Sequence, residues 1–371
     1  TYADSYEYDE STKKYTLVNP QVCQYSTCYN DLIGKFVVSY SGNTSTTAVN
    51  STDLSKIYYV SEETTNRTIY YKDISTTDFH EGIYATTDET GKTSYYYRGA
   101  VTNNYLKFAD KWWRIIRING DGTIRIIYDG DQYYANGTSR TNASINERGY
   151  TFSKAVVDVS YNAYVGFMYG STSASATYAE THANTNKSNA MEQLERWYTT
   201  ILADYASLID TNAGFCGDRR SSTNSSATEP DGTGGTVKIE TYYGAFLRVA
   251  RNRAPSLTCN DNDLYTVKGA SRGNKAMTYP IGLITADEVA MAGGVYKVNN
   301  MSYYLFNSSY YWTLSPYTVV GGGAFLIGVG GSGELVNYGA SETYCLRPVI
   351  NLKADVRITG SGTGADPYVV S

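Results

Sequence analysis

The sequence predicts an α+β protein that is predominantly β. Three observations carry this expectation. Runs of β-branched and aromatic residues recur along the chain, as in Lys56-Ile57-Tyr58-Tyr59-Val60 and Trp112-Trp113-Arg114-Ile115-Ile116-Arg117-Ile118, a composition suited to a pleated, half-buried surface. Clusters of Gly, Asn, Asp and Ser separate these runs at turn spacing. Helical periodicity over a long stretch occurs between Ser188 and Asp210, where Met191, Leu194, Trp197, Tyr198, Ile201, Leu202, Tyr205 and Leu208 fall on one face.

Residues 1–95 read as a small N-terminal β module. Tyr6, Tyr8, Tyr15 and Leu17 lie on strand-like stretches; residues 34–40, 56–60 and 68–72 are further strands, and 41–52 is a Ser/Thr/Asn loop. The turn cluster Asp88-Glu89-Thr90-Gly91-Lys92 marks a boundary, after which Ser94-Tyr95-Tyr96-Tyr97-Arg98 opens a new run. Residues 96–355 form the second domain, and 356–371 a Gly/Ser/Thr turn with a terminal strand. The strongest strand pair is 112–118 with 123–128, joined by Asn119-Gly120-Asp121-Gly122, a hairpin-turn signal. Alternation along it places Arg114 or Arg117 on one face and the isoleucines on the other.

Asn184 or Ser188 is placed to cap the long helix, and Gly214 follows its end. Residues 152–160 read as a short second helix. Thr285-Ala286-Asp287-Glu288, ending at Gly293-Gly294, has the capping-box spacing and glycine stop of a third. Its acidic pair is explained by the helix dipole. The two Gly clusters around Ala324-Phe325-Leu326-Ile327 open no helix and precede no Lys-Ser/Thr, so they predict tight turns around a strand rather than a phosphate cradle.

Composition then narrows the function. The 371 residues include 39 Tyr against 9 Phe, 4 Trp and 2 His, with net charge −5 and 18% charged residues. Tyrosine offers a rigid face and a hydroxyl that tolerates water, which suits contact surfaces. Clustered Lys and Arg, which nucleic acid would need, are absent from the sequence pattern, so no nucleic-acid partner is expected. His80 and His182 are single residues without a recognisable nucleophile nearby. Asn260-Asp261-Asn262-Asp263 is an oxygen-rich loop open to calcium but without EF-hand spacing, so no cofactor is expected. Glu229-Pro230-Asp231 matches the sugar-binding tripeptide of calcium-dependent lectins without its Trp-Asn-Asp partner.

Five Cys are present. Cys23 with Cys28, and Cys216 with Cys259, are read as disulfides of an oxidising compartment; Cys345, in an apolar strand, is read as a buried thiol. The opening Thr1-Tyr2-Ala3 reads as a trimmed ectodomain, with room for a membrane anchor upstream.

The segment from Tyr310 to Leu352 is the most distinctive. Tyr310-Tyr311-Trp312-Thr313-Leu314-Ser315-Pro316 is followed by the Gly-rich strand, by Gly333-Glu334-Leu335-Val336-Asn337-Tyr338, and by Leu346-Arg347-Pro348-Val349-Ile350-Asn351-Leu352. With Trp113-Arg114-Ile115-Ile116, the 119–122 turn and residues 279–288, it resembles a group of exported proteins of Gram-positive bacteria, many with a prepilin-like or other N-terminal anchor. The resemblance covers roughly residues 95–370. Its close is similar to the core of the C-type-lectin-like fold, as in formylglycine-generating enzymes and the variable proteins of diversity-generating retroelements. That implies a scaffold of twisted strands and a long helix, a structural buried Arg347, and partner-facing loops between Pro316 and Tyr344. The enzyme branch uses a cysteine pair, where this chain places Cys345.

The expected function is therefore an extracellular, bacterial cell-surface or pilus-like filament subunit. It would act by contact, through self-assembly or with a host-surface protein or glycan. Tyr310, Tyr311, Tyr317, Phe325 and Tyr338 are the candidate contact residues, with Trp312 and Leu314 in the core. An exported enzyme on a sulfatase-modifying-factor-like scaffold, and a phage or retroelement-diversified receptor-binding protein, are the alternatives.

Overall fold

The computed structural model describes residues 82–370 except 139–142, 147, 155–160, 173–175, 223–240 and 321; before residue 82 it describes only short strands. Three hairpins lie there: Ser5–Asp9 with Lys14–Val18, Ser39–Tyr40 with Ala48–Val49, and Lys56–Val60 with Ile69–Asp73. The expected Cys23–Cys28 bridge, His80, the 229–231 tripeptide and most of the expected 152–160 helix fall outside the described residues. Among the described residues the structure is mostly β, with 35% strand against 17% helix, and its sheets close into no barrel.

A nine-stranded sheet is organised around Lys111–Ile118. On one flank that strand pairs with Ile124–Gly130, which continues to Val349–Leu352. Its other flank is shared between Tyr105–Phe108 and Thr93–Arg98. Thr93–Arg98 leads to Gly82–Thr87 and then to Tyr2–Ala3. Tyr105–Phe108 pairs in parallel with the C-terminal Tyr368–Val370. One sheet thus holds residues from both sides of the 95/96 boundary and from the terminal segment.

The turn at 119–122 forms as expected: Asn119 N–H donates to Thr123 O at 2.9 Å, and Gly122 takes φ +90°, which glycine adopts at no steric cost. Two register shifts interrupt the alternation, and both faces of the hairpin are covered. Arg114, Arg117 and Arg125 are all buried beside the isoleucines. Burial on both faces is feasible because each guanidinium finds carbonyl or carboxylate partners, without which its desolvation would be prohibitive.

The second sheet has four strands in the order Thr241–Tyr242, Tyr311–Val320, Gly323–Val329, Leu335–Gly339. Gly322 at φ +84° and Gly333 at φ +79° make the tight turns that the sequence predicted around residues 324–327.

The long helix runs Asn189–Ile201, with Ser188 as its N-cap: Met191 N–H donates to Ser188 Oγ at 3.1 Å. It is shorter than the periodicity predicts. Ala203–Leu208 tightens into a 3₁₀ turn, because the chain beyond it joins the strand edge: Lys353 N–H donates to Leu208 O at 3.0 Å, and Asp210 N–H to Asn351 O at 2.7 Å. Ala286–Ala292 is a fully buried helix with a reciprocal capping box at Thr285 and Glu288 and a stop at Gly293, φ +129°. No helix of the described residues is long and apolar enough to cross a membrane.

Cys216 and Cys259 form the expected disulfide, with Cα atoms 5.9 Å apart and 43 residues of separation. A crosslink over a loop of that length restricts the unfolded chain by about 2–4 kcal/mol. Reduction, or Cys216→Ser with Cys259→Ser, is expected to lower stability by about that amount, read from urea midpoints. An unchanged midpoint would contradict it.

Candidate functional site

A platform of three tyrosine rings stands at the rim of the second sheet. Tyr310, 48% exposed, immediately precedes Tyr311–Val320. Tyr338 comes from Leu335–Gly339, and Tyr344 from the two-residue strand Thr343–Tyr344. Backbone pairing brings them together. Cys345 N–H donates to Tyr310 O at 2.9 Å, and Trp312 N–H to Cys345 O at 3.0 Å. Tyr344 also pairs across with Tyr150.

The ring centroids lie 4.3 Å apart for Tyr338–Tyr344, 5.6 Å for Tyr310–Tyr344 and 6.0 Å for Tyr310–Tyr338. Beneath them the buried Trp312 packs edge-on to Tyr344 at 5.0 Å and Tyr338 at 6.3 Å, and its Nε1–H donates to Tyr150 O at 2.8 Å. Burial pushes the Tyr338 and Tyr344 hydroxyls up; Glu334 and Tyr310 then add to the rise at Tyr338, and Glu342, which accepts a hydrogen bond from Tyr344 Oη, at Tyr344.

Gly328 makes room for the ring of Tyr338. A Cβ there would stand 2.8 Å from Tyr338 Cδ2 and 3.1 Å from Tyr311 O. Gly328→Ala is expected to displace Tyr338 and to cost about 1–3 kcal/mol by overpacking. Denaturation midpoints and aromatic NMR shifts would measure both, and an unmoved Tyr338 would contradict the packing reading.

The five predicted contact residues divide. Tyr310 and Tyr338 join the platform. Tyr311 is fully buried, so it is corrected from contact residue to core: its hydroxyl donates to Leu305 O at 3.2 Å and its ring faces the Arg347 guanidinium at 5.1 Å.

Tyr317 is half-buried in a different cluster. It stacks on Tyr296 at 5.8 Å, meets Phe246 at 5.3 Å, and accepts a 2.9 Å hydrogen bond from Tyr296 Oη. Phe325 is half-buried, its ring lying over Gly323. Trp312, Leu314 and Arg347 are fully buried, as expected, and the Cys345 thiol is buried. Tyr344 was missed, because the pairing of residue 345 with 310–312 leaves no signal in the sequence.

A second feature lies deeper. Glu288 Oε1 is 3.0 Å from Arg117 Nε and 2.6 Å from Arg125 Nε, the latter an ion-pair contact not aligned as a hydrogen bond. Glu288 Oε2 accepts from Thr285 N–H at 3.0 Å. Arg248 grips Asp287 through Nε at 2.7 Å and Nη2 at 2.9 Å, and donates through Nη1 to Asp218 at 2.5 Å.

Burial acts to raise the Glu288 carboxyl, but Arg125, Arg117 and the Thr285 N–H outweigh it and hold it below the ordinary glutamate range. Asp218 is likewise held down against burial by Arg248 and Arg220. The network encloses a cavity of about 20 Å³, room for a single water. Its carboxylates and guanidiniums pair in charge across elements, an arrangement that ties the Ala286–Ala292 helix to the nine-stranded sheet.

The Asn260–Asp263 loop forms no carboxylate cage. Asp261 reaches Arg272, while Asp263 is buried and accepts from Arg219 N–H. Comparison with protein-family models, with curated proteins and with solved structures finds no match to this chain.

Proposed function

We propose that this chain is an extracellular surface or filament subunit, on a C-type-lectin-like scaffold, that holds a protein or glycan partner through Tyr310, Tyr338 and Tyr344. One observation carries the reading: three tyrosine rings from separate segments converge at one rim, over a tryptophan that fixes them. Rings held in place beforehand lose little conformational freedom on contact, so more of their buried area is expressed as affinity. The disulfide supports an exported protein.

The test compares beads coated with the chain and with the Tyr310→Ala/Tyr338→Ala/Tyr344→Ala variant. Adhesion to immobilised matrix proteins and to a glycan panel is measured, with filament formation followed by negative-stain electron microscopy. The variant is expected to lose adhesion or assembly by about tenfold or more, the scale of an interface hot spot. Unchanged adhesion together with unchanged assembly would overturn the reading.

A further inference from the structure

The aromatic clusters of this protein differ in their charges. Lys107 lies over Trp112 at 4.7 Å, Arg114 over Tyr105 at 3.7 Å, and Arg253 and Lys297 lie 5.7 and 5.4 Å from the ring of Tyr296. Each of those ring faces already carries a cation from its own chain. The Tyr310, Tyr338 and Tyr344 platform carries carboxylates instead.

Glu342 is exposed, accepts from Tyr344 Oη, and is fixed by Gly339 N–H at 2.8 Å. Glu334 accepts from Ser332 N–H at 3.1 Å and lies over Gly330. Among the described residues neither carboxylate meets a Lys or Arg. After burial, Glu334 and Tyr310 raise the Tyr338 hydroxyl, and Glu342 and Tyr338 raise that of Tyr344. Negative ring faces beside two carboxylates that meet no cation among the described residues make a site complementary to positive charge.

We propose that the platform receives an arginine side chain presented by a partner protein, stacked on the exposed tyrosine face and donating to Glu342, with Glu334 adding to the field. This deepens, and rests on, the reading of the platform as the contact site. Two features select arginine. Ring centroids only 4.3–6.0 Å apart leave no room between the rings for an ammonium group, and the near-parallel pair Tyr310–Tyr344, 28° apart, presents a ring face. A planar guanidinium stacks on such a surface while its fork of N–H donors reaches a carboxylate at the edge.

The probe is a peptide carrying three arginines spaced by Gly-Ser, compared with its citrulline counterpart, which keeps the shape and hydrogen-bond donors but not the charge. Binding is measured by biolayer interferometry at low and at physiological salt. The arginine peptide is expected to bind about fivefold or more tighter than the citrulline peptide, with the difference shrinking as salt rises. Glu342→Gln with Glu334→Gln should weaken arginine-peptide binding by a similar factor; both positions are at the surface, and thermal melts check that the variant folds. Asp204→Asn, a remote exposed carboxylate, should leave binding unchanged.

Equal binding of the citrulline peptide would overturn the proposal. So would equal binding by the double Glu variant, or an equal loss from Asp204→Asn. A platform whose tyrosines are needed for adhesion while Glu342 and Glu334 are not would remove the arginine assignment and leave the contact role standing. Loss of neither adhesion nor arginine binding in the triple Tyr variant would remove both.

Discussion

Replacing Glu288 by alanine is expected to destabilise the protein by about 3–5 kcal/mol, a large share of the 5–15 kcal/mol that usually separates folded from unfolded domains. Glu288 is 3% exposed and stands between Arg117 and Arg125. Its removal leaves two buried guanidiniums with Glu89, 3.7 Å from Arg117, as the remaining ion-pair partner among the described residues. It also removes the capping-box half that satisfies Thr285 N–H. Exchanging a whole ion-pair network for apolar residues can be neutral, whereas deleting one member exposes the desolvation penalty of the rest. Glu288→Gln, which preserves shape and most hydrogen bonding, should lose less than alanine and so isolate the charge.

The same group sets a pH dependence. The Glu288 carboxyl is held below its unfolded value, as is that of Asp218. A depressed carboxylate contributes stability that is fully present above the unfolded pKa, roughly 4.3 for Glu and 3.9 for Asp, and lost as pH falls through the folded value. Urea midpoints should therefore be level near neutrality and fall below about pH 4. In Glu288→Gln the fall should be shallower. Identical midpoints and identical acid slopes in the two proteins would refute the network's role.

Trp312→Ala is expected to cost about 3–5 kcal/mol and to disperse the tyrosine platform at the same time. The indole is fully buried and packs on Phe152 at 5.8 Å as well as on Tyr338 and Tyr344. Its removal leaves a cavity directly under the contact rings and deprives Tyr150 O of its donor. Trp312→Phe should recover part of the stability without that hydrogen bond. Near-UV circular dichroism and denaturation together would measure both effects. A stable Trp312→Ala protein with unchanged aromatic signals would show that the platform does not depend on its base.

Much of the local structure was legible because it rests on short-range chemistry. Asn119-Gly120-Asp121-Gly122 turns the hairpin, Thr285 with Glu288 starts a helix that Gly293 ends, and Ser188 caps the long helix. The Cys216–Cys259 pairing was likewise expected from the sequence. Alternation along the 112–128 hairpin carries no signal of burial, and the structure buries Arg114, Arg117 and Arg125, with Glu288 of the Ala286–Ala292 helix meeting Arg117.

The candidate site shows the same division. Tyrosine abundance and the Tyr310–Tyr338 region pointed to contact, and two of five named residues lie in the platform. Tyr311 was misread because the start of its strand is buried on both faces, while Tyr317 stands in another cluster, its hydroxyl accepting from Tyr296.

By itself the amino-acid order determined a β-rich chain, its turns, its helix starts and its surplus of tyrosine, since these depend on neighbours within a few residues. Tertiary structure decided which rings meet and which charges are covered. Tyr310, Tyr338 and Tyr344 come together through backbone pairing of distant segments, and Glu288 meets Arg117 and Arg125 across more than 160 positions. Such contacts are set by how sheets and helices pack, which no local pattern records.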